Sequence, residues 1–451
     1  MPVFQPCSKA LPKHNARPTR PSARRKSFSA IKRDTTINPV LENAEFAHKV
    51  INLVQINDEG VKIAARYIRT RLLTDSYTPR TWRTHPLHIN PVDSAGLSDP
   101  RNKLVLDWIF LISSLNFSFW SKKEKTEEVF GVEWRDAWAS AENGTRKEKR
   151  QVWTGYWSLV AALDRAIADD KIPITDPSFY SDETHCPDSQ IEHVFRPASP
   201  YREPIALLKE RVTIMREVGK ILCDDFNGSF LYFIQSFHER HNGQGTALDL
   251  VKMVVETFPS FRDESWIDGH RVYLWKRAQI LVAEIWAAFY PPISSPPAPH
   301  PIFPSPPGPG PQIHLLTMFA DYRVPQILHH LRIISYPPSL VKLLVQGTLL
   351  ENGAKEEVSL RVASIVAVER VRREMVKIQR KEKEESKRGK RRKRGKRGES
   401  NVEREEEEIS SVLIDFYLWD LAKRIEDGED KVEGIVTEEM APIHRTRSIW
   451  Y

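Results

Sequence analysis

Apolar residues recur at helical spacing through much of this 451-residue chain, and this periodicity constrains the fold more than any other feature. The intervals of three and four residues are typical of helices that bury one face. The clearest stretches are residues 207–222, 248–258, 278–289, 360–378 and 412–422. Alternating runs typical of strands are few, and Arg271 to Trp275 is the best candidate. The pattern therefore predicts a mainly α protein with a minor sheet.

Three segments lack this periodicity. Residues 1–38 are basic and rich in Ser and Pro, residues 291–312 are crowded with prolines, and residues 381–408 carry a basic block followed by an acidic one. Prolines cannot continue a helix, and runs of like charge repel in a packed state. We therefore predict a disordered tail over residues 1–38 and one domain over residues 39–451. The proline-rich and charged inserts interrupt that domain, and the charged one is either a projecting loop or a long helical extension.

The formal net charge of +7 is concentrated in two places. The first forty residues hold nine Lys or Arg and one acid, Asp34, and a second basic block runs from Lys387 to Arg397. The remainder is close to neutral or acidic, so no basic face for nucleic acid is expected on the folded body. We predict a monomer without a stable nucleic-acid partner. The N-terminal composition also permits a mitochondrial presequence, but its prolines and weak apolar face favour a plain tail.

The three cysteines, Cys7, Cys186 and Cys223, are few, odd in number and far apart. This usage predicts a reducing compartment and no disulfide framework. No apolar run approaches the ~20 residues of a membrane span. A cytoplasmic protein is therefore expected, with the nucleus or mitochondrion as alternatives. Zinc-ligand spacings and glycine-rich phosphate loops are missing from the sequence, so neither a metal nor a cofactor is predicted.

The segment from Leu316 to Gln326 combines an acid, an Arg and a Pro with an apolar run. A core helix needs none of Asp321, Arg323 or Pro325. An acid in apolar surroundings is a candidate for chemistry. The structural alternative is that Asp321 caps the next helix, with Pro325 in its first turn. Spacing alone leaves both interpretations open.

Two further patterns are also open to two interpretations. Lys276 and Arg277 begin the helix predicted over residues 278–289, where the helix dipole does not favour cations, so they indicate either a bound phosphate or a solvated helix start. Asp415 and Asp420 are five residues apart, and on a helix their side chains diverge by more than a right angle. They are either a cap and an exposed acid, or two acids that reach one pocket.

Aromatic residues cluster with polar ones in two runs, Asn116 to Ser121 and Gly155 to Ser158. Such rings stack well on planar heterocycles, although each of them taken singly is more typical of a core. His88 lies near Trp82, and a lone histidine is most often structural. These runs indicate that the protein could bind a planar ligand by stacking, but they do not indicate which reaction it catalyses.

A series of short runs follows one another along the chain in a recognisable order. The runs are Leu115–Ser121, Gly155–Leu159, Ile172–Thr175, Gly228–Phe230, Phe258–Asp263, Lys276–Ala283, Leu316–Gln326, Asp415–Asp420 and Ile449–Tyr451. In this order they resemble the queuosine salvage family, the queuosine 5′-phosphate N-glycosylases. The resemblance spans most of residues 41–451.

The resemblance implies an α-helical fold similar to that of helical DNA glycosylases. It also implies hydrolysis of queuosine 5′-monophosphate to queuine and ribose 5-phosphate, with Asp321 as the catalytic carboxylate. A carboxylate can act on the oxocarbenium-like ribose as a nucleophile or as an electrostatic partner, and the sequence does not choose between them. A small nucleotide is then the partner.

The same resemblance implies the substrate-binding residues. Phe319 and His88 would line the base site, and Asp415, Phe416 and Asp420 would contact the modified base and its side chain. The family usually has Tyr where this chain has Phe416. Lys276 is our candidate for the 5′-phosphate, with Arg323 in reserve.

Two functions compete with this one. The basic segments suggest a non-catalytic nucleic-acid-binding protein, whose binding would depend strongly on salt. A helical DNA glycosylase proper is the other, and the lack of a concentrated basic face in the predicted domain speaks against it.

Overall fold

A computed structural model describes residues 38–122, 129–136, 149–201, 203–292, 294, 298–305, 309–393 and 409–451, with the backbone alone for residues 387–393. The predicted tail, apart from Asn38, lies outside these residues. From Asn38 to Tyr451 the chain forms one compact unit. Among the described residues, no helix is both long and apolar enough to cross a membrane.

Helices dominate the described residues, as predicted. The α-helices are α1 (Pro39–Ile51), α2 (Asp58–Thr74), α3 (Pro100–Ser114), α4 (Tyr156–Ala168), α5 (Pro177–Tyr180), α6 (Asp188–Val194), α7 (Leu208–Asp225), α8 (Phe230–Arg240), α9 (Ala247–Thr257), α10 (Lys276–Ala288), α11 (Val324–His330), α12 (Pro338–Val345), α13 (Lys355–Lys393) and α14 (Ser411–Glu426). Short 3-10 helices cover Pro79–Thr84, Pro259–Phe261 and Ile313–Leu315. All five predicted helical stretches are confirmed. The likeness to helical DNA glycosylases stays a prediction.

In the described part of the chain, the strands form three separate antiparallel pairs rather than one minor sheet. The strands are β1 (Gln55–Ile56), β2 (Gly131–Arg135), β3 (Arg150–Thr154), β4 (Glu264–Ile267), β5 (His270–Tyr273) and β6 (Ile334–Ser335). In register, Gln55 lies opposite Ser335, Gly131 opposite Thr154 and Glu264 opposite Tyr273. The strand predicted from Arg271 to Trp275 is thus confirmed as β5, which starts one residue earlier and ends at Tyr273.

Helix α10 lies at the centre of the molecule. Every residue from Lys276 to Ala288 is buried, and the helix packs against α3, α9 and the 3-10 helix Pro79–Thr84. A helix covered on all sides must satisfy its polar side chains inside the protein. Its start is fixed by Asp263, whose Oδ2 accepts a hydrogen bond from the Lys276 backbone N–H at 3.2 Å. Polar side chains of α10 therefore have a defined place in the core.

The long helix α13 packs against α1, α2 and α14. Its apolar residues are buried as far as Met375, and its side chains are exposed from Lys381 to Ser386. The charged insert was predicted to be either a projecting loop or a long helical extension. As far as Lys393 it is a helical extension. Residues 394–408 lie outside the described part of the chain.

The proline-rich insert packs on the end of α10. Its described residues form neither helix nor strand, in keeping with their prolines. Ile302 and Phe303 are nevertheless buried, and His300 Nε2 lies 3.1 Å from the backbone oxygen of Trp286. This part of the insert is therefore anchored to the core.

Candidate active site

A cavity of about 310 Å³ lies beside α10. Its walls come from the segment after α2, the loop after α3, the start of α4, α10 itself, the loop before α11, and α14. All seven residues predicted from the sequence line it: His88, Lys276, Phe319, Asp321, Asp415, Phe416 and Asp420. The structure thus gathers residues that are more than three hundred positions apart in the chain.

The loop that carries Asp321 is held by side chains from separate helices. Gln279, on α10, accepts a hydrogen bond from the Thr317 backbone N–H at 3.0 Å. Arg361, on α13, donates from Nε to the Ala320 backbone oxygen at 2.9 Å. Because both contacts are buried, the loop backbone next to Asp321 has little freedom to move.

Asp321 combines the two roles that the sequence left open. Its Oδ1 accepts hydrogen bonds from the backbone N–H groups of Arg323 and Val324, both at 2.9 Å, and so caps α11. Oδ2 forms no hydrogen bond within the described part of the chain, and Asp321 lines the cavity while only 9% exposed. One oxygen therefore fixes the carboxylate, and the other is available to a ligand.

Lys276 and Arg277 are not a solvated helix start, because both are buried. Lys276 Nζ donates to the backbone oxygen of Asn116 at 3.2 Å and to its Oδ1 at 3.4 Å. Burial lowers the pKa of Lys276 to about 8, and the negative charge of Asp321 opposes that shift. An ammonium group thus lies in the cavity wall within electrostatic reach of Asp321.

Asp415 and Asp420 both line the cavity, although their side chains diverge on α14. A broad face of the helix borders the cavity, with Phe416 and Trp419 between the two acids. Asp415 Oδ1 accepts a hydrogen bond from the Phe319 backbone N–H at 3.0 Å. Burial raises the pKa of Asp415 well above its usual value, and the nearby charge of Asp321 adds to the shift.

Tyr77 is the hydrogen-bond partner of the second acid. Its hydroxyl donates to Asp420 Oδ2 at 2.5 Å. Burial raises the pKa of Asp420 as well, and this hydrogen bond opposes the shift. The hydrogen bond to this carboxyl group thus comes from a neutral donor of the cavity wall rather than from a cation.

Rings cover much of the remaining wall. His88 stacks on Trp82 with centroids 3.9 Å apart, and His85 stacks on Trp157 at 3.4 Å. Burial lowers the pKa of His88 to about 4 and that of His85 to about 2, so both imidazoles are neutral at pH 7. Phe319 adds a further ring to the wall. Neutral rings of this kind suit a planar heterocycle.

Sequence reasoning missed Tyr77, His85 and Glu284. Glu284 is buried in the cavity wall, where its Oε1 accepts a hydrogen bond from the Tyr156 hydroxyl at 3.2 Å. Burial raises its pKa to about 7. One signal could have revealed it, because Glu284 follows Lys276 by eight residues and so lies near its face of the helix. Tyr77 and His85 lie outside any regular pattern.

Metal ligands do not gather in the described part of the chain. No group of three or more His, Cys, Asp or Glu side chains there is placed to hold a metal ion. The cavity is instead lined by separate acids, one ammonium group and neutral rings.

Comparison with known proteins gives consistent matches. The model of a family described as queuosine salvage protein matches residues 98–451. A queuosine 5′-phosphate N-glycosylase/hydrolase from Schizosaccharomyces pombe is 36% identical over 418 residues, which cover 91% of this chain and 99% of that protein. Proteins of the same name from Mus musculus and Sphaerobacter thermophilus are 34% and 30% identical, over 91% and 92% of this chain and 98% and 97% of their own length.

These matches extend over most of the chain and include every residue that lines the cavity from Asn116 onward. The alignments extend over nearly the full length of the relatives, so the likeness is not confined to one motif. The chain therefore belongs to the queuosine salvage protein family.

Proposed function

We propose that this protein hydrolyses the N-glycosidic bond of queuosine 5′-monophosphate and releases queuine and ribose 5-phosphate, so that queuine can be reused in tRNA modification. The observation that carries the proposal is one cavity in which Asp321 lies with the acids and rings expected from the family. Among the described residues, only Oδ1 of Asp321 is hydrogen-bonded. The names of the relatives support the same reaction.

Asp321 is the proposed catalytic carboxylate. As the bond between C1′ and the base breaks, its electron pair leaves with the base and positive charge develops on the ribose. A carboxylate oxygen placed against C1′ stabilises that charge. A water molecule supplies the hydroxyl group that ends on C1′, and the proton that this water loses ends on the departing base, which left with the bonding electron pair. The backbone hydrogen bonds to Oδ1 preorganise the group, while Oδ2 is available for this contact.

Asp415 and Asp420 are proposed to bind the side chain of the modified base. That side chain carries a secondary amine, which is cationic near neutral pH. Both acids are buried, and Tyr77 supplies Asp420 with only a neutral donor. A ligand ammonium would compensate for their desolvation. Phe416 supplies a ring but not the hydroxyl that the family's usual Tyr would offer.

Lys276 is proposed to bind the 5′-phosphate. Its ammonium lies in the cavity near Asp321, and an ammonium carries three donors, of which Asn116 uses two. Arg323, the reserve candidate, is less suitable, because it pairs with Glu426 at 2.8 Å and is not part of the described cavity wall. The phosphate therefore has one well-placed cation.

We further propose that the protein acts as a monomer in the cytoplasm on a free nucleotide. Residues far apart in one chain meet in the cavity, which supports a site contained within a single copy. Size-exclusion chromatography with light scattering would measure the mass directly, and a dimer would contradict this part of the proposal.

The reaction is tested by incubating the purified protein with queuosine 5′-monophosphate and, separately, with guanosine 5′-monophosphate. Mass spectrometry should detect queuine and ribose 5-phosphate from the first nucleotide and no guanine from the second. Absence of base release from queuosine 5′-monophosphate, at a protein concentration comparable to that of the substrate, would refute the function.

A further inference from the structure

Glu284 is a buried carboxyl group that the proposed reaction leaves unused. It is 8% exposed, lines the cavity and faces neutral donors. Tyr156 donates to Oε1 at 3.2 Å, and the Ser113 hydroxyl lies 3.4 Å from Oε2. A buried carboxylate without a directly paired cation is costly, and a binding site is where such a group can find its remaining donors.

The position of Glu284 along α10 relates it to the catalytic end of the cavity. Lys276, Ile280 and Glu284 follow at intervals of four, so one face of the helix borders the cavity over its length. Eight residues correspond to about 12 Å along the helix axis. Asp321 lies near the Lys276 end, because Arg361 donates both to the Ala320 backbone oxygen and to Asp263, whose Oδ2 accepts a hydrogen bond from the Lys276 backbone N–H. A two-ring base whose glycosidic nitrogen is at Asp321 therefore extends toward Glu284.

We propose that Glu284 recognises the Watson–Crick edge of the 7-deazaguanine ring by accepting hydrogen bonds from N1–H and from the 2-amino group. This inference rests on the proposed function. A carboxylate has about four lone-pair positions, so Tyr156 and Ser113 leave room for two donors from the base. A guanine-type edge offers these two adjacent donors, whereas an adenine-type edge presents an acceptor at N1. Glu284 would therefore determine the class of base that the cavity accepts.

The groups around Glu284 determine how this recognition depends on pH. Tyr156 on α4 and Lys276 on its own helix favour the carboxylate, and burial disfavours it. His85 and His88 share the cavity but are neutral near pH 7, because burial lowers the pKa of each. Since the pKa of Glu284 is raised to about 7, the carboxylate forms as the pH rises through 7. Recognition of the two donors should strengthen in that direction.

The test measures binding of two free bases by calorimetry, which does not require turnover. The bases are 7-deazaguanine and 7-deazahypoxanthine, which differ only in the 2-amino group. The wild-type protein should bind 7-deazaguanine about tenfold or more tightly at pH 8, since a charge-assisted hydrogen bond is lost with the amino group. The preference should shrink at pH 6. In E284Q it should fall to within about twofold at both pH values, because the amide replaces one acceptor oxygen with an N–H donor and the remaining oxygen carries no charge.

Two further variants complete the experiment. Glu239→Gln, an exposed residue of α8, is the matched control and should keep the wild-type preference. Tyr156→Phe keeps the ring but removes a hydrogen bond that lowers the pKa of Glu284. Its preference for 7-deazaguanine should therefore persist but develop at higher pH, a shift that a merely structural role of Glu284 would not produce.

Several results would overturn the inference. One is a folded E284Q protein that still prefers 7-deazaguanine. Another is an E284Q protein with a reduced kcat and unchanged affinities for the two bases, which would indicate that Glu284 donates a proton instead. If E284Q does not fold, equal binding of the two bases by the wild-type protein overturns it. Failure of the wild type to hydrolyse queuosine 5′-monophosphate would count against the proposed function, while the base preference would still be measured separately.

Discussion

Two clusters of buried charge lie near each other in this protein and are neutralised in different ways. In the first, the guanidinium of Arg361 binds both carboxylate oxygens of Asp263, at 3.0 and 2.5 Å, and approaches Glu357 at 3.4 Å. Arg361 also lies under the ring of Tyr451, 4.2 Å from its centroid. The protein itself supplies a cation for these acids.

The second cluster is the cavity. Within its described wall, four carboxyl groups share the single ammonium of Lys276: Asp321, Asp415, Asp420 and Glu284. Their hydrogen bonds come from backbone N–H groups and hydroxyls, and burial raises the pKa of three of them: Asp415, Asp420 and Glu284. The comparison indicates that the protein pairs the acids of the first cluster with its own cation. The acids of the second cluster have no such pairing, which agrees with the proposal that they bind a cationic ligand.

The largest expected effect comes from breaking the first cluster. Arg361→Ala leaves Asp263 buried without its cation, which should lower the free energy of unfolding by ~3–5 kcal/mol. Arg370→Ala, on the same helix, is the control, because its pair with Asp58 is exposed and should contribute less than ~1 kcal/mol. Urea denaturation measures both values. Equal losses in the two variants would show that burial of the first pair does not matter.

Removing the charge of Asp321 should affect catalysis and not stability. Asp321→Asn keeps an oxygen that can accept the two backbone hydrogen bonds at the start of α11, but it removes the negative charge that faces the ribose. We expect kcat to fall by at least ~10²-fold. The melting temperature should stay close to that of Asp224→Asn, an exposed control on α7. A folded Asp321→Asn protein with wild-type turnover would remove Asp321 from the catalytic role.

A smaller effect is expected at Asp420. Asp420→Asn removes one negative charge from the proposed amine site, so the affinity for queuosine 5′-monophosphate should fall about tenfold. 7-Deazaguanosine 5′-monophosphate lacks the amine, so its affinity should change little. Inhibition constants for both nucleotides provide the measurement. A parallel loss for both would mean that Asp420 shapes the cavity rather than binding the ammonium.

The helices and the loop of Asp321 could be predicted from the sequence because both depend on local pattern. Spacing fixed α10 and α14, and the mixture of Asp321 and Pro325 with apolar residues indicated a helix cap, which the structure contains. The choice of site residues depended on the family resemblance, since spacing alone left Asp415 and Asp420 open. All of them line one cavity, but their roles stay predictions.

What could not be predicted depends on long-range packing. Tyr77 and Asp420 meet across 343 positions, and Glu284 acquires its environment from Tyr156 and Ser113 on two other helices. The sequence also left open whether Lys276 binds a phosphate or belongs to a solvated helix start. Its burial contradicts the second interpretation. No local pattern encodes such contacts, since they exist only when distant segments are brought together.

The smallest effect is expected from the basic block between Lys387 and Arg397, which motivated the competing nucleic-acid-binding function. Along α13, Lys387 is 26 residues beyond Arg361, or roughly 40 Å along the helix axis. Exposed charges are largely screened beyond a Debye length of about 8 Å at physiological ionic strength. Replacing the Lys and Arg residues of this block with Ser should therefore leave turnover of queuosine 5′-monophosphate within about twofold. Any salt-dependent RNA binding measured by filter retention should decrease in the same variant. A loss of turnover instead would mean that this block, and not only the buried acids, contributes to catalysis.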